Sequence, residues 1–325
     1  MNSGIELLGI SNAIVDVLAH VDDEFLAQIG VTRGAMTLID ERRAGEIYSA
    51  MGPATEMSGG SVANTIANFA NLGGRSAYIG KVRDDQLGEI FNHDMRSLGV
   101  DIRLEPAPSG LPTARSHVLI TPDGQRTMCT YLGACTELGV ADITPATVDT
   151  PGVILLEGYL WDLPEGPDLA AEAIRIARAQ DTAVALSLSD SYCVERHRDA
   201  FRALVDDSVD IVVADDDEIN ALLETSDFEA TLAAVRDSDV LHVMTRSEHG
   251  SVITHSGEVV TQPATPVEKV VDTTGAGDAY CAGFLFGWTR GKALGECARL
   301  GTFCATRVIQ QVGARIEPGL PEDFG

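Results

Sequence analysis

Short apolar runs and longer amphipathic stretches alternate along most of the chain. The runs Ile5–Ile10, Ser76–Val82, Val153–Tyr159, Ala183–Ser189, Asp210–Ala214 and Val240–Thr245 are rich in Val, Ile and Leu. Each is short and bounded, the pattern of strands buried on both faces. Between them Ser61–Leu72, Asp84–Leu98, Leu169–Arg178 and Glu195–Val205 carry the helical period. Two further helix-like stretches, Ala276–Thr289 and Ala293–Gln311, close the chain. Strand–helix alternation predicts an α/β fold with a mostly parallel central sheet flanked by helices on both faces.

Two stretches break that rhythm. Residues 12–40 and 100–135 read as strands and turns, and the second contains a hairpin signal: Ser116–Thr121, the turn Pro122-Asp123-Gly124, then Gln125–Leu132. These two β-rich insertions are expected to form a small β-sheet lid. Segments 1–11, 41–99 and 136–325 are then expected to form the large α/β unit, with 12–40 and 100–135 as the lid.

Composition narrows the classes of function. The formal net charge is −26 over 325 residues, which argues against nucleic acid as a partner, because its phosphates need basic surface. An anionic ligand must then be received locally, by backbone amides, a few basic groups and a metal ion. No apolar run approaches the roughly 20 residues of a membrane span. The start Met1-Asn2-Ser3-Gly4 lacks the basic region of a signal peptide, so the expected location is the cytoplasm. The six cysteines include no Cys-x-x-Cys pair; they read as small buried hydrophobes.

The sharpest chemical signal is Val271-Asp272-Thr273-Thr274-Gly275-Ala276-Gly277-Asp278, followed by the small-residue apolar run Ala279–Trp288. A tight Gly-x-Gly turn opening a helix makes an anion site from the unpaired first-turn amides and the helix dipole. Asp278 stands beside that site, where a carboxylate can take a proton from an attacking hydroxyl. Taken alone, it also fits an Asp capping a helix. No Walker-type Gly-x-x-x-x-Gly-Lys-Ser/Thr occurs.

The segment 272–278 resembles the C-terminal signature of the ribokinase-like (PfkB) carbohydrate and nucleoside kinases. Gly59-Gly60-Ser61-Val62-Ala63-Asn64 resembles the N-terminal Gly-Gly-x-x-x-Asn signature of the same family. The resemblance spans essentially the whole chain and implies a three-layer sandwich with a small lid. It also implies transfer of the γ-phosphate of ATP to an alcohol, with Asp278 as base and Gly275, Ala276 and Gly277 as the anion cradle. Asn12-Ala13-Ile14-Val15-Asp16 and Gly60-Ser61-x-x-Asn64 bring the chain nearest to adenosine kinases. Asp16, Gly59, Gly60, Ser61 and Asn64, with Asn12, would then hold the sugar. Ile14, Met128, Leu132, Tyr159 and Trp161 are candidates for a nucleobase slot.

On the ATP side the resemblance implicates Asp190, Thr245, Arg246, Ser247, Gly250 and Thr274, together with Gly275 and Gly277. The last helix near Gly313 would border the adenine. Asp215 and Glu218 stand where the family has Asn-x-x-Glu acting on Mg²⁺ through water. Asp215 in place of Asn adds charge, although Mg²⁺ is well served by carboxylates. The resemblance also allows a monovalent cation such as K⁺, and either a monomer or a homodimer. Three readings stand: an adenosine kinase, a sugar kinase of the same family (with Arg115 or Arg126 facing a sugar acid), or a non-catalytic nucleoside sensor.

Overall fold

The apolar runs become strands whose two faces bury separate cores. A computed structural model describes residues 4–320. In chain order the strands are β1 (Leu7–Ile10), β2 (Ile14–His20), β3 (Met36–Leu38), β4 (Thr55–Gly59), β5 (Ser76–Ile79), β6 (Asp101–Ile102) and β7 (Ala114–Ile120). They continue with β8 (Arg126–Tyr131), β9 (Val153–Glu157), β10 (Ala183–Ser187), β11 (Ile211–Asp215), β12 (Leu241–Thr245), β13 (Ser251–His255) and β14 (Glu258–Gln262).

Nine strands form the large sheet in the order β14-β13-β12-β11-β10-β9-β1-β5-β6. From β6 to β12 the pairs are parallel; β13 and β14 add an antiparallel edge. Side chains alternate between the two cores, as a period of two requires. Leu7, Val153 and Leu155 pack beneath the helices Ser61–Asn71, Ala276–Trp288 and Leu294–Val308. Leu8, Ile154 and Leu156 face the helices Gly166–Ala179 and Ser191–Asp207. The expected three layers are present.

The two C-terminal helices approach closely because Gly283 is bare. A Cβ there would lie 2.5 Å from the carbonyl oxygen of Leu300. Small residues on the face of one helix thus set the distance to the other.

The small sheet has the order β3-β8-β7-β2-β4. One face is covered by the helices Asp23–Ile29 and Glu41–Ala50, which bury Leu26, Ile29 and Ile47 against Leu119 and Cys129. The hairpin signal becomes β7–β8. Two boundaries differ from expectation. Thr55–Gly59 lies in the span assigned to the large unit, yet pairs antiparallel with β2. Asp101–Ile102 lies in the span assigned to the lid, yet pairs with β5 in the large sheet. Within 12–40, read as strands and turns, a helix forms at Asp23–Ile29. Asp22 accepts from the Phe25 amide at its start and Gly30 ends it at φ 67°. No helix among the described residues is long and apolar enough to cross a membrane.

Candidate active site

The site grows from the carboxyl ends of the parallel strands, where open α/β sheets place ligands. Asn12 follows β1, Glu157 ends β9, Asp190 follows β10, and Asp215 and Thr245 pair at the ends of β11 and β12. The small sheet stands over this edge and supplies Asp16 from β2 and Gly59 from β4.

Asp278 sits in the first turn of the helix Ala276–Trp288, after Gly275 at φ 72°. A Cβ on Gly275 would meet Cβ of Ala314 at 2.4 Å, so both conformation and space call for glycine there. Ser61 Oγ donates to Asp278 Oδ1 at 2.7 Å and Asn64 Nδ2 donates to Oδ2 at 3.2 Å. The two sequence signatures therefore meet through three side chains. Burial pushes the Asp278 carboxyl up to about 6, against the pull of those two hydrogen bonds.

In the adjoining cradle the Ala276 amide is engaged by the Thr273 carbonyl at 3.2 Å. Among the described residues no carbonyl takes the amides of Gly277 and Asp278, and a Cβ on Gly277 would meet only open space. Room and donors coincide at this turn, as an anion needs. Of the three cradle residues expected, Gly277 offers its amide, Gly275 shapes the turn, and Ala276 contributes position only.

Asp272 ties the cradle to the lid. Its Oδ1 accepts from the Thr274 amide at 3.0 Å and its Oδ2 from the Gly313 amide at 2.9 Å. Arg126 of β8 completes the arrangement with an ion pair to the same carboxylate. Both partners are largely buried, 12% and 5% exposed at the side chain, which makes the pair sensitive to loss of either member.

Beside Asp278 lies a cavity of about 80 Å³ lined by Asp16, Leu18, Met57, Ser58, Asn64, Arg126, Thr274 and the segment Val312–Arg315. Burial pushes the Asp16 carboxyl up to about 7, although Arg315 and Arg126 draw it down. Gly59 is required here: a Cβ would lie 2.2 Å from Asp16 Oδ2. Gly60, at φ 94°, would push a Cβ to 2.7 Å from the Asn12 carbonyl. Gly313, expected near adenine, lines this cavity.

The nucleobase candidates separate. Ile14, Leu132 and Tyr159 pack against the core on the far side of the large sheet, and Trp161 is buried edge-on to Phe201. The Tyr159 hydroxyl is bonded to Asp190, and burial first, then that carboxylate, drives its ionisation far up. Ile14, two residues before Asp16 on β2, also stays on the Asp16 face of the small sheet, and so does Met128. Met128 continues a register row across the small sheet, Leu18–Val118–Met128–Met36, next to the row that begins at Asp16. Cross-strand partners share a face, so these apolar side chains stand on the same face as Asp16. Arg126 lines the cavity; Arg115, over the Tyr131 ring at 5.5 Å, does not.

Of the nucleotide-side residues, Asp190 caps its helix through the Cys193 amide at 2.7 Å. Arg246 lies 3.7 Å over the Phe228 ring, and Gly250, at φ 84°, closes a tight turn against the Gln262 carbonyl. Asp215 and Glu218 form a reciprocal capping box: Glu218 N donates to Asp215 Oδ1 at 2.8 Å, and Asp215 N to Glu218 Oε2 at 2.9 Å. Each retains one carboxylate oxygen. Burial, then Asp215, pushes the Glu218 carboxyl up to about 8, with Asp190 and Asp278 adding to it. Oxygen donors whose mutual repulsion a cation would relieve fit Mg²⁺ held through water.

Glu157 was not foreseen. It is 1% exposed, and its carboxylate accepts from the Asn12 amide at 3.0 Å and the Val62 amide at 3.2 Å. Burial pushes it up to about 7. The signal was available: an acid ending the apolar run Val153–Leu156 is costly unless bonded.

The sequence pattern of the pfkB family carbohydrate kinases matches residues 29–322. The fold superposes on the crystal structure of adenosine kinase from Sinorhizobium meliloti, with 50% identity, 96% of each chain covered and a TM-score of 0.90. A probable sugar kinase from Rhizobium etli is 44% identical, covers 97% of this chain and 96% of its own, and has a TM-score of 0.91. Adenosine kinase 2 of Arabidopsis thaliana is 26% identical, with 94% of each chain covered.

Proposed function

Because the chain belongs to the pfkB family of carbohydrate kinases, we propose that this phosphotransferase moves the γ-phosphate of ATP onto the 5′-hydroxyl of adenosine or a close nucleoside. The observation that carries the reading is Asp278, oriented by Ser61 and Asn64 at the edge of the open amide turn. With its carboxyl at about 6 it is mostly ionised at neutral pH, yet basic enough to accept the hydroxyl proton as the bond to phosphorus forms. The amides of Gly277 and Asp278, reinforced by the helix dipole, face the negative charge of the transferring group. Asp215 and Glu218 would hold Mg²⁺ through water; bound there, the ion would neutralise phosphate charge.

Two features favour a nucleoside acceptor. One is the 50% identity to the S. meliloti adenosine kinase. The other is the apolar row Leu18–Val118–Met128–Met36, two positions along β2 from Asp16. A base resting there would bring its ribose to Asp16, where an ionised carboxylate accepts hydroxyl hydrogens. A sugar acceptor is the second reading, favoured by Arg126 at the cavity and by the R. etli relative.

The test is ATP consumption with Mg²⁺ against adenosine, inosine, guanosine, ribose, fructose and 2-keto-3-deoxygluconate. Turnover with adenosine and none with free sugars is expected. Turnover with a sugar alone overturns the nucleoside assignment, and silence across the panel overturns both readings.

A further inference from the structure

The far wall of the cavity is built by a segment outside both signatures, Val312–Arg315. Asn68 clamps that segment: its Nδ2 donates to the Ala314 carbonyl at 2.9 Å and its Oδ1 accepts from the Ile316 amide at 2.8 Å. Arg315 is therefore held from both sides along the backbone. Its Nη2 donates to the Ser58 carbonyl at 2.6 Å, and its Nε is buried with no partner. Of the five donors a guanidinium carries, Nη2 is engaged, and leaving Nε dry and unpaired is costly.

Asp16 faces the same cavity from β2. The two groups influence each other electrostatically, yet no hydrogen bond or ion pair joins them among the described residues. Asp16 is fixed on a paired strand against bare Gly59, and Arg315 is fixed by Asn68 and Ser58. A fixed acceptor and a fixed donor across a small cavity are complementary to a group that both donates and accepts. A hydroxyl, or a vicinal pair of them, is such a group.

We propose that Arg315 is a specificity-determining residue that reads the acceptor's sugar hydroxyls together with Asp16. Asp16 accepts a hydroxyl hydrogen, and Arg315 donates to a hydroxyl oxygen. The inference rests on the nucleoside-kinase reading for its choice of substrate. A deoxy analogue leaves the buried Arg315 Nε donor without a partner, the condition under which sites reject analogues most strongly.

The experiment compares kcat/KM for adenosine with that for 2′- and 3′-deoxyadenosine in the wild type, Arg315→Met and Arg315→Lys. The wild type is expected to prefer adenosine by at least about 100-fold over one analogue or the other. Arg315→Met is expected to lower kcat/KM for adenosine, mainly through KM, and to lower it far less for that analogue, so the preference shrinks at least about tenfold. Arg315→Lys is expected to recover part of it, since Lys keeps the charge without the fork. A merely structural role would depress all three nucleosides alike, and that outcome overturns the inference. So does a wild type indifferent to the missing hydroxyl, which needs no variant to fold. A wild type that phosphorylates ribose and not adenosine overturns the nucleoside reading alone. The same comparison then runs on ribose against 2-deoxyribose, with the same expectation for Arg315→Met.

Discussion

Replacing Asp278 with Asn is expected to slow turnover and stabilise the fold at once, because the same buried carboxylate supplies the base and carries a desolvation penalty. Burial lifts its carboxyl from the usual 3.8 to about 6. At about 1.4 kcal/mol for each tenfold change in the proton equilibrium, that displacement destabilises the ionised folded state by about 3 kcal/mol. The residue keeps some exposure to solvent, and screening on that side reduces this to about 1–2 kcal/mol. Below about pH 4 the carboxyl is protonated in folded and unfolded chains alike, and Asn brings no gain. Above about pH 6 it is ionised in both, and the gain is fully present. Asp278 also adds to the upward displacement of Asp16, Glu157 and Glu218, each dominated by burial, and its neutralisation relieves them in part. Against the gain stands Asn64, whose Nδ2 lies 3.2 Å from Asp278 Oδ2 and would face an amide unless it flips. Turnover should fall by about 10²-fold or more, the scale of general-base catalysis. The assays are steady-state kinetics and urea unfolding at pH 4 and pH 8. Wild-type turnover in the variant, or a stability change identical at the two pH values, refutes the reasoning.

In the wild type, kcat/KM should begin to fall below about pH 7, as Asp16 becomes protonated, and steepen below about 6, as Asp278 does; a pH–rate profile checks this. Gly59→Ala places a Cβ 2.2 Å from Asp16 Oδ2 and should raise the acceptor KM at least about tenfold with a smaller change in kcat, measured at saturating ATP. Arg126→Met leaves the buried Asp272 carboxylate with two amides and no cation. It should cost about 3 kcal/mol in urea unfolding, partly restored by adding Asp272→Asn. Gly283→Ala drives a Cβ to 2.5 Å from the Leu300 carbonyl and should cost about 1–3 kcal/mol by thermal melting.

The alternation of strands and helices was legible in the sequence because it is a local pattern, set by the period of burial within each segment. Ile5–Ile10 and Val153–Tyr159 became β1 and β9 with only their ends trimmed, and Ala276–Thr289 became a helix one residue shorter. The anion turn was legible for a similar reason: glycine conformation and helix-start chemistry are properties of a few consecutive residues. The short helix Asp23–Ile29 carried its caps in the sequence, but seven residues show too little periodicity to override neighbouring strand signals.

Partnership at a distance was decided by tertiary structure alone. Asp278 meets Ser61 and Asn64 from 217 and 214 residues away, and only the packing of their two helices makes that contact. The same holds for Arg126 on Asp272, for Thr55–Gly59 joining the small sheet, and for Arg315 facing Asp16. Tyr159 and Leu132 looked suited to a base slot by residue type, but packing turned them to the core. Hydrophobic burial does not distinguish a core from a ligand pocket until the layers are assembled, whereas a periodic pattern or a glycine turn carries its cause within its own few residues.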